Sequence, residues 1–288
     1  MKRITNVLCI CMLLAYSVTA QINTPQPSSA GSVSSTVGLT EVSIEYFRPK
    51  KKGRQIFGSG DEFLEQYGNI WRTGANSGSK LTLSTDVKIG GQDVTAGTYL
   101  IFTIPNADEW KFMLYSDLSL GGNVAGYDKS KEVLNISVKP IALDQPVETL
   151  TFQISDISED NTSANLHFAW DRASFKVPIQ VNFDEQVMAS IEANTMVNPQ
   201  NYLAAARYYL STDKDLDQAL TWINQYLEVG ENSQQFWNLH TKARILAKLG
   251  EKKKAIKTAE ESMKLAKEYS RGDFGYVKRN EELISSLN

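Results

Sequence analysis

Cysteine and histidine are both scarce, two of each in 288 residues, and where they fall excludes more than their number does. Cys9 and Cys11 lie in the first twenty residues, where Lys2 and Arg3 precede an apolar run from Val7 to Tyr16 that closes on Val18-Thr19-Ala20. That order of basic, apolar and small residues predicts a secretory signal peptide over residues 1–20, cut after Ala20. A membrane span needs roughly 18–20 apolar residues. The run is shorter and has no basic flank after it, so a single-pass anchor is the alternative rather than the expectation. A chain starting at Gln21 has no cysteine, which excludes disulfides, thiol nucleophiles and thiolate metal sites. His167 sits in a strand pattern and His240 on a helix, neither with a second ligand at metal-binding spacing. Both are read as structural, and no metal site is expected.

Other absences narrow the function. There is no Gly-x-Ser-x-Gly elbow and no glycine-rich phosphate loop, so no catalytic residue and no cofactor is assigned. Of the 30 basic residues, Lys2 and Arg3 leave with the signal peptide; the remaining 28 face 33 acidic ones, a net charge of −5. Such a chain has no electrostatic bias toward nucleic acid, and the one basic turn, Lys50-Lys51-Lys52-Gly53-Arg54, is too short to supply it. No later apolar run is long enough to cross a bilayer, so no transmembrane segment is expected after cleavage. The expected location is outside the cytoplasm, periplasmic or associated with the cell envelope.

Residues 21–35 are rich in Pro, Ser, Gly and Gln and read as a flexible leader. From residue 36 to 183 the period is two. Val42, Ile44 and Tyr46 alternate with polar neighbours until Arg48-Pro49 stops the strand. Leu81 and Leu83, then Val87 and Ile89, lead to a Gly90-Gly91 hairpin. Thr98–Pro105 is apolar on both faces, as in a central strand. Further strands are predicted over residues 109–116, 133–138, 148–155, 164–169 and 175–183, the last two joined by a turn at Trp170-Asp171-Arg172-Ala173. Asp61–Tyr67 reads as one helical turn. Short strands divided by turn signals predict an antiparallel β sandwich or jelly-roll-like domain. Residues 184–288 switch to helical period, with helices expected over 201–209, 216–227, 234–249, 253–269 and 276–287.

Two resemblances follow from these residues. Tyr46-x-Arg48-Pro49, Gly53-Arg54-x-Ile56-Phe57-Gly58, Trp71-Arg72-Thr73-Gly74-Ala75-Asn76, Gly90-Gly91, Ala96-Gly97-Thr98-Tyr99, Thr103-Ile104-Pro105 and Trp110 together resemble the exported bacterial family catalogued as domain of unknown function 2911. The resemblance covers about residues 25–183 and implies fold and export, not an activity. The chain departs from the family's pattern at Gly121-Gly122-Asn123-Val124-Ala125-Gly126-Tyr127-Asp128 and at Glu132-Val133-Leu134-Asn135. The helical half, over roughly 200–268, is similar to tetratricopeptide repeats at Ala243, Leu246, Gly250, Ala255, Ala259 and Ser262, more weakly at Ala206, Ala219, Ile223 and Tyr226. Its internal period is 36 residues, from Ala219 to Ala255, against 34 in that family.

The candidate working surface is the glycine-punctuated stretch Asn69–Gly78, which has no apolar alternation and so reads as a loop. Arg72, Thr73 and Asn76 offer hydrogen-bond donors and Trp71 a flat apolar platform, with Tyr46, Arg48 and Arg54 expected to converge on them and Tyr127 expected in a second loop. The set suits a glycan or a protein ligand. A structural reading stays open, in which Trp71 plugs the core and the polar residues satisfy loop carbonyls. The function expected is a non-enzymatic binding or assembly module with helices for protein contacts. The alternative is an envelope hydrolase using loop carboxylates such as Asp61 and Glu62, or Asp117 and Asp128, as acid and base. Asp156, Glu159, Asp160 and Asn161 could supply calcium oxygens, but read more simply as a turn.

Overall fold

The computed structural model describes residues 24–195, 198 and 200–288; the expected signal peptide, residues 21–23 of the leader, and Pro199 lie outside them. The chain divides into two compact units between Asn182 and Phe183.

Among the described residues twelve strands build the first unit: β1 (Ser29–Val37), β2 (Thr40–Arg48), β3 (Gln55–Gly58), β4 (Phe63–Gln66), β5 (Ser79–Leu83), β6 (Val87–Ile89), β7 (Gln92–Val94), β8 (Gly97–Ile104), β9 (Trp110–Tyr115), β10 (Glu132–Val138), β11 (Ile141–Ser155) and β12 (Ser163–Val181). One sheet has the order β1-β2-β5-β8-β9-β10, a second β11-β12-β6-β7, and β3-β4 form a small parallel pair. The two larger sheets are antiparallel and open at their edges rather than closed into a barrel.

Three readings of the sequence are corrected. The leader is not loose up to residue 35, because β1 pairs with β2 from Ser29↔Arg48 to Val37↔Thr40; Gly31, Val33, Ser35 and Val37 alternate inward, a strand pattern written in small residues. Asp61–Tyr67 holds β4, not a helical turn. The two strands expected on either side of Trp170–Ala173 are one, β12. Its buried positions are even-numbered through Trp170 and odd-numbered from Phe175. A bulge makes this slip, with Asp171 at φ 52° where the β11 register also shifts. A bulge adds a residue and reverses the alternation, which in sequence looks like a break.

The core is aromatic. Trp110 and Phe112 of β9 meet Phe168 and Phe175 of β12 across the two sheets, with Phe168 and Phe175 stacked at 4.8 Å. Phe57 of β3 sits among Trp71, Trp110, Phe168 and Trp170, so the small parallel pair caps the open end of this cluster. Each ring buries ~150–250 Å2.

The second unit is helical: α1 (Asp184–Thr195), α2 (Asn201–Thr212), α3 (Leu216–Leu227), α4 (Phe236–Lys248), α5 (Lys252–Glu268) and α6 (Tyr276–Leu287). Asp215 caps α3 by accepting from Gln218 N at 2.9 Å. Ala206, Ala219, Ala243, Ala255, Ala259 and Ser262 are fully buried, small enough for α2 to close on α3 and α4 on α5. No helix among the described residues is long and apolar enough to cross a membrane.

Phe168→Ala removes a ring in contact with five aromatic neighbours and should cost about 3–5 kcal/mol, whereas Leu64→Ala, at 42 % exposure, should change stability by less than about 0.5 kcal/mol. Urea unfolding followed by tryptophan fluorescence measures both.

Candidate functional site

The stretch Asn69–Gly78 enters the sheet before it leaves it. Trp71 N donates to Thr103 O at 2.8 Å and Thr103 N to Trp71 O at 2.9 Å, an isolated bridge onto β8. Ile70 and Trp71 therefore face opposite sides. Ile70 packs with Leu100, Phe102, Met113 and Tyr115, and Trp71 enters the inter-sheet cluster, stacked on Trp170 at 5.8 Å. Beyond the bridge the chain turns sharply. Thr73 has φ 49° and Asn76 φ 58°. A β-branched residue in that region is a true outlier. It is held by Thr73 Oγ1 against Thr103 Oγ1 at 3.1 Å and by Ser79 Oγ donating to Thr73 O at 2.6 Å. The loop also docks on residues 121–122. A Cβ at Gly78 would lie 2.5 Å from Gly121 O, so only glycine permits this approach, and one at Gly122 would lie 2.6 Å from Arg72 Cδ and displace that side chain.

Seen this way, the site residues separate. Trp71 is 4 % exposed and its Nε1 donates to Gly74 O at 3.2 Å; it is a core residue and offers no platform to a ligand. Thr73 is fully buried. Tyr46 lies edge-on to Phe152 and accepts from Phe152 N at 3.1 Å, and Arg48 donates to Leu150 O and Thr151 Oγ1. Both fasten β2 to β11; Tyr46 also lines a concavity with Ser77 and Gly78 at the end of the loop, apart from Trp71, Arg72, Thr73 and Asn76. Asn76 donates to Gln26 Oε1 at 2.9 Å and Ser28 O at 3.4 Å. Tyr127 packs on Phe102 and Tyr115 and donates to Glu132; burial and the Glu132 charge raise its phenol above the usual range. Arg54 and Arg72 are brought together, on one cleft.

That cleft holds about 370 Å3 between the Lys50–Arg54 turn, β4 and the far side of the loop, with Arg54, Glu65, Arg72 and Trp170 in its lining. Arg72 Nη1 donates to Gly122 O at 3.0 Å. Arg54 closes its own turn through Lys51 O and Lys50 O, and Lys51 is ion-paired with Asp171. Each guanidinium keeps donors beyond these bonds. Glu65 is the one carboxylate among the described lining residues. Burial pushes it up to about 7, against the pull of Arg72 and then Arg54, so near neutrality it is a proton donor about as often as an anion. Trp170 is 1 % exposed and its Nε1 has no acceptor among the described residues. A second concavity, about 380 Å3 over β1, β2 and β5, offers only Glu45 and Lys80 as charged groups, and these face each other across the strands.

The other carboxylates have local work. Asp117 accepts from Ser119 Oγ and Ser119 N, and Asp128 from Ser130 N, which lowers both below the ordinary range. Asp61 accepts from Gln66. Asp160 is lowered to about 2 by Ser158 and Thr162 within one turn, and Asp156 to about 2 by Lys176, Asn165 and Ser155. His167 meets Ser174 at 2.8 Å. Sequence reading missed Glu65 and Trp170. The first could have been found by taking Phe63, Glu65 and Tyr67 as one face of a strand; the second was hidden by the bulge.

Because its folded pKa lies above the unfolded value, Glu65 contributes stability that is complete below about pH 4.5 and lost as pH rises through about 7. Glu65→Gln should remove this dependence and raise stability at pH 8 by ~2 kcal/mol. Chemical unfolding at pH 4.5 and pH 8 compares the two proteins.

Comparison with known proteins agrees with this division of the chain. No curated protein and no solved structure matches it. The sequence model of one family, described as "Protein of unknown function (DUF2911)", matches residues 28–179, from the start of β1 almost to the end of β12, and does not reach the helices. With more than half its length matched, including the bridge, the turn and every residue of the Arg54–Glu65–Arg72 cleft except Pro27, the chain belongs to the DUF2911 family.

Proposed function

We propose that this chain is an exported, non-enzymatic binding or assembly protein of the bacterial cell envelope, whose β unit takes a carboxylate-bearing glycan or peptide in the Arg54–Glu65–Arg72 cleft. The observation that carries the reading is that one partly buried carboxyl, Glu65, shares the lining of a cleft with two guanidinia that retain donors; its upward shift to about 7 supports it. A ligand carboxylate would accept from the guanidinia, whose planar fork fits it, and from protonated Glu65. The helical unit, with its tetratricopeptide-like spacing of small residues, serves protein contacts. Export rests on the composition of residues 1–20.

A carboxyl near 7 is also what the acid of a hydrolase requires. Glycoside hydrolysis needs a second carboxylate ~5–10 Å away, and among the described residues the lining of this cleft has only Glu65. Asp61 and Glu62 lie outside it. The balance favours binding.

Screening the purified protein against acidic glycans and peptides tests the assignment. Binding should weaken roughly tenfold or more in Arg72→Ala, and should fall as pH rises from 6 to 8 in the wild type but not in Glu65→Gln. Folded variants that bind as the wild type does would place the ligand elsewhere.

A further inference from the structure

The helical unit carries its own charged cleft, separate from the β unit's. It lies where α4 touches both α2 and α6, encloses about 450 Å3, and has Arg207 and Ser211 of α2, His240 and Arg244 of α4, and Tyr276 and Arg279 of α6 in its lining. Residues 183–288 contain four arginines, Arg207, Arg244, Arg271 and Arg279. Three of the four meet here. Among the described residues no carboxylate lines the cleft, and none of the three guanidinia lies within ion-pair distance of an acid. Among the described residues of the same unit Lys214, Lys248, Lys254 and Lys278 are ion-paired, so acids are at hand elsewhere but not at this cleft. Like charges gathered in one cleft repel, and an anionic ligand would balance them.

The cations sit on a fixed frame. The Arg279 guanidinium lies 4.8 Å from the centre of the Tyr276 ring, a cation–π contact. Asn280 is fully buried and donates to Ser262 Oγ at 3.0 Å and to Tyr276 O at 2.8 Å, while Ser262 Oγ donates to Phe236 O at 2.7 Å. With both its amide hydrogens committed, Asn280 has only Oδ1 left for His240 Nδ1, 2.8 Å away. His240 must therefore donate from Nδ1. This chain of bonds locks α6 to α4 and α5, and fixes an imidazole in the cleft's lining.

We propose that this cleft binds a compact oxyanion ligand carrying two or more negative charges, a polycarboxylate or polyphosphate of small-molecule size. The volume falls in the range of small-ligand sites, roughly 300–1,000 Å3. Guanidinium forks match carboxylate and phosphate oxygens alike. Three forks reaching in from three helices exceed what a single carboxylate can accept, and they line one cavity rather than a stripe along the helices, which fits a compact ligand better than an extended acidic peptide.

Calorimetric titration of the whole protein at low salt with inorganic pyrophosphate and with citrate tests this, the two probes separating phosphate from carboxylate chemistry. One or both should bind with one site per chain and weaken as salt is added. Arg207→Ala and Arg244→Ala, both at exposed positions, should each weaken binding roughly tenfold or more. Arg271→Ala should leave it unchanged, and far-ultraviolet circular dichroism should show all three folded. The proposal is overturned if neither anion binds, if the double variant Arg207→Ala/Arg244→Ala binds as the wild type does, or if an acidic hexapeptide binds where both small anions fail. The Arg72→Ala variant, whose change lies in the β unit, should bind these anions normally, so this proposal and the preceding one fail independently.

Discussion

Two hydrogen bonds between Trp71 and Thr103 hold the β unit's irregular region to its regular one. A backbone bond contributes only about 1 kcal/mol net, but this pair determines which way the neighbouring side chains point. Trp71 must face the inter-sheet core and Ile70 the opposite side of β8, so a segment without strand periodicity is anchored through both faces. The residues that follow have no freedom to relax. Thr73 is kept in a left-handed conformation by bonds to Thr103 and Ser79, and Arg72 is carried to the cleft with its guanidinium over Gly122.

The consequence is electrostatic. Glu65 lies on β4, which pairs with β3, and β3 is fixed because Phe57 packs edge-on against the stacked pair Trp71 and Trp170. The same aromatic cluster that stabilises the sandwich thus fixes a carboxyl and two guanidinia around one cleft. Desolvation outweighs the arginines and raises the acid to about 7. A more exposed Glu65 would be a plain anion beside Arg72, and the cleft would lose its sensitivity to pH near neutrality. In both units, arginine is placed by packing and leaves part of its donor set to the cleft it lines.

Much of this was legible in the sequence where a single physical signal dominates. Leu216–Leu227 is helical at the expected bounds because its apolar period is clean, and Gly90-Gly91 turns between β6 and β7 because two successive positive φ angles require glycine there. Reading failed where two signals compete. The Pro, Ser and Gly content of residues 21–35 concealed the alternation of Val33 and Val37 in β1. The bulge at Asp171 reversed the phase of β12 and made Trp170 look like a turn residue. The loop Asn69–Gly78 was found, and the chain was right to be read with Trp71 as either platform or plug. Which of the two it is depends on a bridge to Thr103, thirty-two positions away, that no local pattern encodes. Glu65 was missed because reading Asp61–Tyr67 as a helical turn hid the strand face that Phe63 and Glu65 share in β4.

The most direct test of this account is native-state hydrogen exchange at the amides of Trp71 and Thr103. If the bridge anchors the loop, both should exchange as slowly as the central amides of β8, such as that of Ile101, through global opening of the β unit. Exchange of the Trp71 amide at the rate of exposed turn amides such as that of Gly91 would show a loop that merely lies on the sheet, and the geometry of the Arg54–Glu65–Arg72 cleft would lose its foundation.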